Sequence, residues 1–69
     1  MKHDTRRVAF ENVEVIAGGL LLWCRVDDTI VAIPPVRLLP GSQVRRPGDL
    51  GRLVLSEDIA GDLGLLAEP

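Results

Sequence analysis

The 69 residues, 46% of them hydrophobic, make one small domain near the lower limit for independent folding. A single Cys and a single His exclude an intrachain disulfide and leave no Cys/His metal cage, while a net charge of −2 and a pI near 5.1 argue against a general affinity for nucleic acid, which needs a basic face. With neither staple present, and with a mean hydropathy of +0.21, self-association is the remaining way to stabilise so small a core, and a homo-oligomer is expected, a dimer first.

In chain order, residues 1–6 are polar and read as a disordered tail ahead of one domain over 7–69. No signal-peptide segment follows Met1, and the longest apolar run, Ile16 to Cys24, is too short to span a bilayer. The expected compartment is therefore the cytoplasm, with Cys24 reduced. From Arg7 to Ile16 the pattern alternates, with Val8 and Phe10 on one parity and Val13 and Val15 on the other. A period-2 pattern that changes parity around Glu11-Asn12 predicts a bulge or tight turn there. Ala17-Gly18-Gly19 is a turn signal.

Leu20 to Val26 and Thr29 to Ile33 are β-favouring runs around Asp27-Asp28, a hairpin. The turn sets the faces. Leu20, Leu22, Cys24, Val26, Val31 and Ile33 form a wholly apolar side that must be core. Leu21, Trp23, Ile30 and Ala32, with Arg25 among them, form the other side. A strand apolar on both faces lies either under a covered sheet or at a subunit contact. Pro34-Pro35 ends the run, since proline cannot donate to a ladder. Val36–Leu39 is irregular or extended and closes at Pro40-Gly41-Ser42. Gln43 to Asp49 is the most polar internal stretch and is expected to be an exposed loop.

Gly51 to Leu55 is a last strand, joining Val13, Val15 and the hairpin's apolar side in the expected core. Ser56 is placed to cap a short helix, with Glu57 and Asp58 in its first turn, where the helix dipole favours acids. Gly61 weakens that helix, Gly64 ends it in the left-handed conformation, and Leu65 and Leu66 fold back onto the core. Strands at this spacing predict a mainly β fold: a small barrel or rolled antiparallel sheet of four to five strands with one short C-terminal helix.

No catalytic set can be assembled, and no enzyme is expected. His3 stands alone in the tail, Cys24 lies on the apolar side, and Asp27-Asp28 is turn chemistry. Gly18-Gly19 precede a strand, which is the wrong setting for a phosphate loop. No cofactor, metal or small-molecule ligand is implied. The candidate surface is the self-association face Leu21, Trp23, Ile30 and Ala32, because Trp is enriched at interface hot spots. Arg45, Arg46 and Arg52 are the candidate nucleic-acid contacts if the domain is instead a DNA-binding regulator.

Gly51-Arg52-Leu53-Val54-Leu55-Ser56 with the helix and Leu63-Gly64-Leu65 resembles the signature of the AbrB/MazE swapped-hairpin DNA-binding family. That resemblance implies an antitoxin-type regulator with Arg52 near DNA. The sequence departs from the signature at Ser56, where proline is usual, and at Asp58 and Asp62, where basic residues are common. The two strands that follow in the family are also missing after Leu65. Over its whole length the chain resembles short bacterial and phage-borne small β-barrel proteins. They share the aliphatic hairpin around an acidic turn, the Ile33-Pro34 exit and the closing Leu63-Gly64-Leu65, which implies a fold and no activity.

Overall fold

The alternation that begins at Arg7 produces a long first strand, β1 (Arg7–Ala17), in the computed structural model, which describes residues 6–66. It is followed by β2 (Leu22–Val26), β3 (Thr29–Ile33), a 3-10 turn at Pro35–Arg37, β4 (Leu50–Ser56) and α1 (Glu57–Asp62). The strands form one antiparallel sheet in the order β3-β2-β1-β4. The fold is mainly β with one short C-terminal helix, as expected. The tail expected over residues 1–6 lies outside the described residues except for Arg6, whose carbonyl accepts from the Glu57 N–H at 2.8 Å.

The sheet is open, which corrects the barrel expectation. Closure would require the outer strands β3 and β4 to pair, since a barrel leaves no edge. Here the connection between them instead lies along the free edge of β4. The Leu39 N–H donates to the Val54 carbonyl at 3.1 Å, and the Gln43 N–H to the Arg52 carbonyl at 2.8 Å. Two side chains complete the edge. Ser42 Oγ accepts from the Val54 N–H at 2.9 Å and donates to its carbonyl at 3.1 Å, and Gln43 Oε1 accepts from the Arg52 N–H at 3.0 Å. Backbone N–H groups and side-chain oxygens together thus take the place of a fifth strand.

The parity change in β1 is a bulge, with Phe10 opposite Leu53 but Val13 opposite Gly51. Glu11 and Asn12 therefore both oppose Arg52, and Asn12 takes a φ of 59°, which Asn tolerates better than most residues. The extra residue returns Val13 and Val15 to the face that holds Phe10. A second irregularity, between Val15 and Ala17, sets Ile16 and Ala17 against Trp23.

One face of the sheet is core. Val13, Val15, Leu22, Cys24, Val26, Val31, Ile33, Leu53 and Leu55 are buried together with Val44. Leu38, Ile59, Leu63 and Leu65 pack against them, so the loop and α1 form the covering layer. Two expectations fail. Leu20, expected in the core, is 96% exposed, because the bend after Gly18 runs through Leu21 and β2 starts only at Leu22. Strand alternation does not direct a side chain that lies outside the strand. Gln43–Asp49 is not simply an exposed loop either, since Val44 in its middle is fully buried.

The helix end follows from local sequence. Ser56 Oγ accepts from the Ile59 N–H at 3.3 Å as the N-cap. At the other end Gly64 takes a φ of 77°. The Leu65 N–H reaches the Ala60 carbonyl at 2.9 Å and the Gly64 N–H the Gly61 carbonyl at 3.0 Å, the two bonds of a Schellman ending.

Candidate functional site: the uncovered face of the sheet

Every strand of an antiparallel sheet presents alternate residues to each side, so burying one face fixes which residues occupy the other. In β2 these are Trp23 and Arg25, and in β3 Ile30 and Ala32. Trp23 stands directly opposite Ala32, and Arg25 opposite Ile30. Three of the four candidate residues are therefore neighbours on this face. Leu21, the fourth, is half-buried in the bend just before β2 and so lies outside the paired strand. Trp23 is 43% exposed and Ile30 52%, so the other described residues leave both partly open to solvent.

The face extends further than the hairpin. Leu50, 69% exposed, pairs with Glu14, and Ile16, 40% exposed, occupies the second irregularity beside Trp23. Both escape a reading of the hairpin alone. Ile16 has the parity opposite to Val13 and Val15, and Leu50 has the parity opposite to Leu53, so extending the last strand by one residue would have found it. Between these apolar groups lie charges: Arg25 Nη1 meets Glu14 Oε1 at 3.4 Å, and Arg52 Nε meets Glu11 Oε2 at 2.8 Å. Both pairs are about half exposed, a setting in which an ion pair contributes at most about 1 kcal/mol.

The arginines separate into two settings. Arg52 faces Glu11 across the first bulge. Arg45 and Arg46 lie in a turn organised by Asp49, whose Oδ2 accepts from their backbone N–H groups at 2.9 and 3.0 Å. Those two bonds, from Arg45 first, hold the Asp49 carboxyl below the usual carboxylate range. The turn is tied to β1 by the Gly48 N–H donating to the Val15 carbonyl and the Val15 N–H donating to the Asp49 carbonyl.

Cys24 sits in the core, where burial pushes its thiol up from its ordinary value. A neutral thiol with no cation beside it is a poor nucleophile. Asp27, in the hairpin turn, takes a φ of 56°, a conformation Asp tolerates in tight turns. His3 lies outside the described residues. Among the described residues no group of three His, Cys, Asp or Glu is placed to hold a metal ion, and no helix is long and apolar enough to cross a membrane. What the face can do chemically is exclude water against a second surface. No protein-family model, curated protein or solved structure matches the chain.

Proposed function

We propose that this chain is a non-catalytic assembly module that associates with copies of itself through the uncovered face of its sheet, the dimer being the basic unit. The observation that carries this reading is the exposure of Trp23 and, diagonal to it, of Ile30 on the β2–β3 part of the outer face, which the other described residues leave open to solvent. Monomeric proteins seldom leave large apolar patches in water, and two-fold pairing lets one patch cover its own copy. A domain of this size also gains most from a partner, having little core of its own. Placement of the arginines supports assembly over DNA contact, since Arg52 is engaged by Glu11 and the Arg45–Arg46 turn is folded around a carboxylate.

Sedimentation of the wild type and of Trp23→Glu tests the proposal. The wild type is expected to sediment as a dimer at micromolar concentration, and Trp23→Glu as a folded monomer. A wild type that remains monomeric at the highest attainable concentration refutes it.

A further inference from the structure

The register of the sheet places four residues of the uncovered face in a single row across all four strands. Ile30 is opposite Arg25, Arg25 opposite Glu14, and Glu14 opposite Leu50. The row therefore reads apolar, positive, negative, apolar from β3 to β4. In the next row Ala32 is opposite Trp23, and Trp23 opposite Ile16 and Ala17. The sheet order puts the boundary between β2 and β1 at its centre, and the row is balanced about that boundary.

From this pattern we infer that two copies pack face to face about a two-fold axis running along the strands, midway between β2 and β1. The inference rests on the assembly reading above and specifies its geometry. Such an axis carries β2 over the partner's β1 and β3 over the partner's β4. Arg25 then meets Glu14 of the partner subunit, and Ile30 meets the partner's Leu50. Trp23 comes over the partner's Ile16, so the exposed apolar groups of β2 and β3 are met by those of β1 and β4. A two-fold axis running across the strands along the same row would instead set Arg25 over the partner's Arg25 and Glu14 over the partner's Glu14. Like charges brought together at an interface are strongly unfavourable. Of the two axes through this row, its charge order thus selects the one along the strands, and aligned stacking of twisted sheets is an ordinary arrangement.

The test is the double reversal Glu14→Arg with Arg25→Glu. It keeps the ion pair within each chain and therefore leaves the monomer's own electrostatics in place. The reversed protein is expected to dimerise with itself as the wild type does. In a mixture of the two, each mixed dimer would set Arg25 of the wild type against an arginine and Glu14 against a glutamate. Native mass spectrometry of isotope-labelled wild type with the reversed protein should then show the mixed dimer at least about tenfold below its statistical share. Free mixing overturns the axis while leaving self-association standing, and a reversed protein that is folded but monomeric overturns it as well. A wild type that is itself monomeric removes both inferences.

If the reversed pair fails to fold, the two single variants carry the same test. E14R and R25E are each expected to be weakened as homodimers and to form a mixed dimer when combined, because the mixture restores both cross-subunit pairs. Two singles that mix no better than each associates alone overturn the axis.

Discussion

At the residue scale, Asp49 shows how one carboxylate shapes a loop that composition alone marks as solvated. Its two bonds from the Arg45 and Arg46 backbone close the turn, and those bonds favour the ionised form, which places the folded pKa below the unfolded one. A group of this kind stabilises the fold fully above its unfolded pKa and loses that contribution as pH falls through the folded value. Asp49→Asn should therefore melt below the wild type at neutral pH. The gap between the two should narrow as pH falls through and below the carboxylate range, as read by thermal melts across acid pH. A gap that is constant with pH would mean that charge at this position is irrelevant. Asn12 and Asp27, the two described non-glycine residues at positive φ, belong to the types that bear this conformation with least strain.

At the element scale, β4 depends on a neighbour that is not a strand. Ser42 is buried, and its hydroxyl both donates to and accepts from the backbone of Val54. Ser42→Ala leaves the Val54 N–H without that partner inside the protein, at a cost of about 1–3 kcal/mol, which denaturant titration would measure. An unchanged midpoint would show that water replaces the hydroxyl. The helix offers a change in the opposite direction. A Cβ at Gly61 would lie 3.6 Å from Leu66 Cδ1, an ordinary contact. Gly61→Ala should then stabilise by up to about 1 kcal/mol through helix propensity, a rise of about 4–8 °C in a domain this small. Both ends of α1 were legible in the sequence, because Ser56 and Gly64 act on backbone groups only a few residues away.

At the scale of the whole molecule, the regulatory reading turns on charge. The net charge is −2, and Arg52, the residue the swapped-hairpin resemblance would place near DNA, is held by Glu11. No salt-dependent mobility shift is expected with random duplex DNA at physiological ionic strength. A shift that weakens steeply with salt and is lost in Arg52→Ala would restore the regulatory reading, since each neutralised phosphate releases counterions. The open sheet also leaves its two faces unlike. One face is sealed by the loop and α1, while the other keeps Trp23, Ile30 and Leu50 in water.

Elements whose causes are local were legible in the sequence. Alternation and the Asp27-Asp28 turn defined the hairpin and sorted its two faces, the parity change located the bulge at Glu11-Asn12, and Ser56 with Gly64 bounded the helix. The core residues expected in the strands were legible for the same reason, apart from Leu20, where the turn outlasted its glycines, whereas the burial of Val54 and Ala60 was not. That β1 lies between β2 and β4, that the chain seals an edge rather than closing a barrel, and that Val44 is core emerged only in the folded chain. Those outcomes join residues far apart in the chain, such as Ser42 with Val54 and Glu11 with Arg52, 41 positions away. The row from Ile30 through Arg25 and Glu14 to Leu50 is the same kind of product. Each residue's side of its strand follows from period 2, but their alignment depends on register across three strand pairs, which no single stretch of sequence specifies.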